Sequence, residues 1–224
     1  MRTRSAVSVL SARSWCTRLT SLALLLVAVP AHGSLLLSEV LYDAVGSDNG
    51  GVFVELSGAP GTSLAGVSLE GVNGADGRVY LTLPLSGVIP ASGLFVVADD
   101  AGDGSSGVAR ANLITNFDFQ NGPDSIVLRM GATVLDALGY GTFPAGSVFA
   151  GEGNAAPDGA AGQSLARIPG MPDTGDNRAD FRLRDLPTPG SNGVSAVPIP
   201  PAGALFLTGA TTLLVPLLGR RRRA

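Results

Sequence analysis

Hydrophobic residues between positions 34 and 193 occur in short runs, and most of these runs alternate with polar residues. A period of two places successive side chains on opposite faces of an extended chain, so the pattern predicts β-strands. No stretch of this region shows the spacing of an amphipathic helix. Strands are predicted at 35–42, 52–56, 63–69, 78–83, 94–98, 125–129 and 133–138, with weaker patterns at 163–168 and 180–183.

Turn-forming residues separate nearly all of these segments and favour a positive φ. They are Asp48-Asn49-Gly50-Gly51, Asn73-Gly74, Asp76-Gly77, Asp103-Gly104 and Asn121-Gly122. Many short strands without helices predict an all-β fold, an antiparallel β-sandwich. The Gly-, Ala- and Pro-rich stretch 143–162 has no periodicity, and we expect it to be an extended surface loop.

Six pieces of this region follow one another in a recognisable order over about 34–193. They are Leu36–Tyr42, Phe53–Leu56, Ser63–Leu69, Ile89–Ala98, Gly122–Leu128 with Gly131 and Val134–Asp136, and Ser164–Arg167 with Asp173–Asn177, Asp180-Phe181 and Thr188–Gly190. In this order they resemble the lamin-tail domain family. One departure is Val67, where that family often has Trp. The resemblance implies an immunoglobulin-like sandwich in a secreted or surface protein, and it implies a fold and a location more than an activity.

The N-terminal residues 1–33 are predicted to be a secretion signal. Four arginines and no acidic residue precede an apolar run at 22–29, and small residues surround Pro30. Cleavage is expected after Ala31 or Gly33. The apolar run is shorter than the roughly 20 residues of a membrane-spanning helix. An uncleaved N-terminal anchor is the alternative.

Residues 194–224 contain a proline motif, an apolar stretch at 202–219 that predicts a marginal membrane helix, and a basic end. The arginines would remain on the cytoplasmic side of a membrane. This order resembles the PEP-CTERM family of sorting signals, in its Val-Pro-Leu-Pro variant. The resemblance implies processing by an exosortase-type protease, transient anchoring in the inner membrane, and association with the envelope or extracellular matrix of a Gram-negative bacterium; a plain tail anchor is the alternative. The motif residues are Val197, Pro198, Ile199, Pro200, Pro201, Arg220, Arg221, Arg222 and Arg223.

Composition excludes several chemistries from the region between the two ends. That region contains seven arginines and eighteen carboxylates, so its net charge is −11. Such a charge repels phosphate groups and argues against nucleic acid as a partner. The chain's single Trp15, Cys16 and His32 all precede Ser34. A mature chain that begins near Ser34 therefore has no Ser–His–Asp triad, no ordinary zinc site and no disulfide. No cofactor, metal site or catalytic residue is assigned.

Two sets of acidic residues are candidates for chemistry. Glu39 and Glu55 lie on neighbouring predicted strands, and a close carboxylate pair can act as acid and base in glycoside hydrolysis. We expect them instead to face solvent or to bond backbone groups.

A loose calcium site is the second candidate, although the spacing of these acids does not match an EF-hand. We expect solvated turns instead. For the 173–177 segment we expect ion pairs with Arg178, Arg182 and Arg184, or a cap to the last strand. The acids concerned are Asp99, Asp100 and Asp103, or Asp173, Asp176 and Asp180.

The sequence as a whole therefore predicts an exported, non-enzymatic module that binds exopolysaccharide or a surface protein. A carboxylate-based hydrolase acting on matrix polysaccharide and a calcium-stabilised adhesin are the alternatives.

Overall fold

Ten β-strands and one helical turn make up the part of the chain that the computed structural model describes, residues 35–170 and 172–191. The strands are β1 Leu36–Leu41, β2 Phe53–Ser57, β3 Val67–Asn73, β4 Val79–Pro84, β5 Leu94–Asp99, β6 Leu113–Thr115, β7 Asp124–Met130, β8 Thr133–Tyr140, β9 Ser164–Arg167 and β10 Phe181–Arg184, and the helix is α1 Asn177–Asp180. Each of the nine predicted segments overlaps one observed strand. The all-β prediction is confirmed for this region.

The strands form two sheets. One has six strands in the order β10-β9-β1-β2-β5-β6, and the other has four in the order β4-β3-β7-β8. Every strand pair is antiparallel except β5–β6, which is parallel. The prediction of a wholly antiparallel fold is wrong at this edge. The short β6 returns from the loop after β5 and runs beside it in the same direction.

The period of two places one face of each sheet against a common core. Val54 and Leu56 of β2 lie in the same buried cluster as Ile126 and Leu128 of β7, on the opposite sheet. Tyr42 and Tyr140 stack at 4.3 Å between ring centroids inside this core. Burial of about thirty apolar side chains supplies the main stabilisation of a domain that has no disulfide.

Two loops cover the outer faces of the sheets. In the loop between β5 and β6, Val108 packs on an apolar patch of the six-stranded sheet that includes Phe53. In the 141–163 loop, which joins β8 to β9, Ala150 packs on an outer patch of the four-stranded sheet that includes Val127. This second loop has no strand of its own, as predicted. It is more than a surface loop, however, because Ala156 is buried and pairs with Tyr140.

Glycines with positive φ occupy four of the five predicted turns, among them Gly50 at 74° and Gly104 at 83°. The exception is Asn73-Gly74, where φ at Gly74 is not positive. A Cβ at Gly74 would meet the carbonyl oxygen of Pro123, so glycine is required there for close approach of two backbones.

Candidate functional site

The carboxylates of Glu39 and Glu55 lie side by side on the outer face of the six-stranded sheet. The two residues are register partners in the β1–β2 pair, next to an irregularity between Leu37 and Glu39. Their exposed fractions are only 3% and 2%. The prediction that they are neighbours across two strands is confirmed. Of the two expected environments, solvent or backbone partners, their burial rules out solvent.

A segment near the end of the described chain covers this acidic pair. We call residues 187–191 the C-terminal strap. The carboxylate of Glu39 accepts hydrogen bonds from the backbone N–H of Thr188 at 2.8 Å and from its hydroxyl at 2.8 Å. Glu55 accepts from the backbone N–H of Gly190 at 2.6 Å. The expectation that the two acids bond backbone groups is therefore confirmed, with partners about 140 residues away in sequence.

Neighbouring residues complete this arrangement from both sides. Ser164 donates to Glu39 and Ser38 donates to Glu55, each at 2.6 Å. Arg184 donates to the hydroxyl of Thr188 at 3.0 Å, and Arg110 donates to the carbonyl oxygen of Gly190 at 2.8 Å. The strap is thus tied to β1, β2, β10 and the loop before β6. Hydrogen bonds of this kind, with one ionised partner, are the stronger class in proteins.

Donors of the protein itself surround the carboxylates of the pair. All four carboxylate oxygens of Glu39 and Glu55 accept at least one hydrogen bond from the protein. Burial raises the pKa of Glu55, and the bonds from Ser38 and Gly190 oppose that rise. The cavity next to the pair is small, about 170 Å³. The geometry is suited to holding the strap.

A second group of acids surrounds Arg167 near the end of β9. We call Asp136, Glu152, Asp173 and Asp180 the acidic cluster. The Arg167 guanidinium lies 2.8 Å from Asp136, 3.1 Å from Asp173 and 3.0 Å from Asp180, and its side chain is only 7% exposed. It also lies over the ring of Phe181, 4.7 Å from the centroid. This arrangement joins β8, β9 and the segment before β10.

Glu152 is the member of the acidic cluster without a counter-ion. Its Oε2 atom is buried and has no hydrogen-bond partner in the described chain. Burial, followed by the charges of Asp136 and Asp173, raises the pKa of Glu152 to about 7. Oxygens of these three carboxylates lie within 4.8 Å of one another and could approach a cation together. Arg167 already contributes a positive charge there.

The sequence-predicted calcium ligands have other roles. Asp99 accepts backbone bonds from Gly50 and Phe117, and Asp100 accepts from three N–H groups of its own turn. Asp176 caps α1, which leads directly into β10. The predicted ion pairing of the 173–177 segment is correct in kind, but Asp173 pairs with Arg167 rather than with the three arginines that follow it.

Sequence reasoning missed Asp136, Glu152 and Arg167. Asp136 and Arg167 each stand in a strand on the side that faces the core, where an apolar residue is the rule. A charged residue at such a position is a signal that a partner of opposite charge lies nearby. Glu152 carries no comparable signal, because the loop around it has no period.

The remaining predicted site residues lie outside the described residues. These are Ala31 and Gly33 of the signal, Val197, Pro198, Ile199, Pro200 and Pro201 of the motif, and Arg220, Arg221, Arg222 and Arg223 of the basic end. Within 35–170 and 172–191, no helix is long and apolar enough to cross a membrane. Comparisons with protein-family models, with curated proteins and with solved structures find no significant match to this chain.

Proposed function

We propose that this protein is an exported, non-enzymatic module of the Gram-negative cell envelope or matrix. Its two-sheet domain, of the immunoglobulin-like lamin-tail type, presents loops to exopolysaccharide or to a surface protein. Helices at 1–33 and 202–219 act as signal and transient anchor, and an exosortase-type protease processes the C-terminal tail. Nucleic acid is not a partner, because the domain carries a net charge of −11.

The observation that carries this proposal is that the buried Glu39–Glu55 pair binds the C-terminal strap through hydrogen bonds. Two ionised groups removed from water are costly unless they are fully hydrogen-bonded. Here their bonds hold the strap, the segment that leads from the domain into the tail. The domain therefore fixes its own exit point, which supports a role for that end of the chain in attachment.

Chain length limits how far the tail can reach from this exit point. Five residues separate Ser191 from Val197, and ten separate it from the apolar stretch at Ala202. Fully extended, ten residues span at most about 35 Å. A tail embedded in the membrane would hold the domain within that distance of the surface until it is cut.

The hydrolase alternative requires one carboxylate to protonate or attack a substrate. The pair has no oxygen free of protein donors, and the strap lies over it. We therefore favour the structural role for both acids. On this proposal, no polysaccharide substrate is turned over, and Glu39→Gln lowers stability without removing any activity.

Mass spectrometry of both mature termini tests the proposal. We expect a chain that begins just after Ala31 or Gly33 and ends near the Val197–Pro201 motif. A variant with Pro198→Ala and Pro200→Ala should keep the basic end, whereas the matched control Pro144→Ala, in an exposed loop, should be processed normally. Recovery of wild-type protein from the cell surface with Arg220–Arg223 intact would overturn the sorting proposal.

A further inference from the structure

A cavity of about 860 Å³ lies between the 141–163 loop and the α1–β10 segment. We call it the loop cavity. Phe143, Phe149 and Asp158 line it from the loop side, and Arg178 and Arg182 line it from the α1–β10 side. Cavities that bind small ligands in proteins have volumes of roughly 300–1,000 Å³.

Backbone hydrogen bonds fix both walls of the loop cavity. Gly141 donates to Ala156 at 3.2 Å, which ties the base of the loop to the end of β8. Arg178 donates from its backbone to Asn154 at 3.0 Å, and the Asn154 side chain donates to Asp176 at 2.7 Å. The loop is therefore joined to α1 as well as to the sheet. A ligand would meet a site that is already formed and would lose little free energy in ordering it.

Arg178, on the α1–β10 side of the loop cavity, carries a positive charge that is not paired with a carboxylate among the described residues. Within 35–170 and 172–191, the Arg178 guanidinium makes no hydrogen bond and no ion pair, and Arg178 is exposed. Arg182 donates only to the carbonyl oxygens of Arg178 and Phe181. Arg129 and Arg167, by contrast, both pair with carboxylates. A planar guanidinium with free donors is the side chain best suited to a carboxylate.

The loop side of the cavity combines apolar rings with side chains that can form hydrogen bonds. The rings of Phe143 and Phe149 meet edge to face, with centroids 5.1 Å apart, and both residues are partly exposed. Asp158 accepts one bond from Tyr42 at its Oδ1 atom, and Thr142 is exposed at the rim. A ligand that fits this lining has apolar C–H surface, hydroxyl groups that can donate to a carboxylate, and a negative charge.

We propose that the loop cavity binds a carboxylate-bearing oligosaccharide of a few rings. Its acid group pairs with Arg178, its ring C–H faces lie on Phe143 and Phe149, and its hydroxyls donate to Asp158. This inference rests on the proposed function in that it names the class of matrix ligand. A polyphosphate chain fits less well, because it has no C–H surface to lie on Phe143 and Phe149 and no hydroxyl groups to donate to Asp158.

Titration calorimetry on the full-length chain tests the site with three probes: a trimer of galacturonic acid, the neutral trimer maltotriose, and an acidic tripeptide. We expect the galacturonate trimer to bind, and to bind more weakly as salt rises. Arg178→Ala should weaken it at least tenfold. Arg78→Ala is the matched control, since it removes an exposed guanidinium outside the cavity. It should change affinity less than twofold.

Four results would overturn the proposal: no binding of the galacturonate trimer by the wild-type chain, equal binding of maltotriose, equal binding of the acidic peptide, or equal effects of the two arginine substitutions. Circular dichroism of both variants confirms that each is folded. Processing of the tail is read separately from the mature C-terminus. A failure of the sugar site would thus leave the sorting result intact, and a failure of sorting would leave the sugar titration intact.

Discussion

Replacing Glu39 by Gln removes the acceptor to which the strap is most closely tied. The carboxylate accepts three hydrogen bonds, from Ser164 and from both the N–H and the hydroxyl of Thr188. The amide of Gln keeps one oxygen, but its NH₂ group faces a donor. Hydrogen bonds to charged groups contribute about 1.5–3 kcal/mol each, so we expect a loss of about 2–4 kcal/mol. That is a large share of the 5–15 kcal/mol typical of a domain.

Urea unfolding followed by far-UV circular dichroism measures this loss. Tryptophan fluorescence is unsuitable, since the sole tryptophan is Trp15, within the predicted signal. With a urea dependence of about 1–3 kcal/mol per M, the midpoint should fall by roughly 1–2 M. Glu70→Gln is the matched control on the other sheet. It breaks a partly exposed ion pair with Arg129, and we expect a loss below about 1 kcal/mol.

Combining Glu39→Gln with Thr188→Val separates the strap from other effects of the substitution. If Glu39 acts by holding Thr188, the two changes remove the same interaction, and their effects should fall short of additivity by at least about 1 kcal/mol. Glu55→Gln should cost less than Glu39→Gln, because Glu55 accepts two hydrogen bonds, from Ser38 and Gly190, where Glu39 accepts three. Additive effects, or a Glu39 variant as stable as the Glu70 control, would refute the reasoning.

Three further predictions concern the acidic cluster. Because the pKa of Glu152 is raised from 4.5 to about 7, the folded protein holds a proton that the unfolded chain releases. Stability should fall as pH rises from about 4.5 to about 7, by roughly 1 kcal/mol after solvent screening, and Glu152→Gln should flatten this part of a melting-temperature profile. If the acidic cluster binds calcium, then at pH 8 calcium should raise the melting temperature of the wild type more than that of Glu152→Gln. If calcium changes the melting temperature of neither protein, the calcium-stabilised adhesin is excluded. Arg167→Leu leaves Asp136 and Asp180 buried without their cation and should cost about 3–5 kcal/mol in urea unfolding, whereas a loss below 1 kcal/mol would contradict the role assigned to the network.

The strands were predictable because their signal is local. A half-buried strand repeats every two residues, and β3 carries that period over most of its seven residues. β2 and β7 are instead short, largely apolar runs, buried almost throughout. β6 was not predicted from the sequence; it has only three residues and pairs in parallel at a sheet edge. Three residues are too few to establish a period, and parallel pairing depends on the path of the loop before it.

The candidate site was predictable only in part. Alternation along β1 and β2 placed Glu39 and Glu55 on one face, and strand order made them neighbours. What covers that face could not be read locally, because Thr188 lies 149 residues from Glu39. The pattern alone therefore left two environments open for these acids, solvent or backbone partners, and the fold decided for backbone partners.

By itself, the sequence determined nine of the ten described strands and which chemistries the region after residue 33 lacks. These properties depend on residue type and on spacing along a few neighbouring positions. Tertiary structure alone decided the partners of the buried charges: the strap for the Glu39–Glu55 pair and Asp136 for Arg167. It also placed the exposed Arg178 beside the loop cavity. Such partners meet only when distant strands and loops are packed together, since a charge interacts with whatever lies within a few ångströms of it, regardless of separation along the chain.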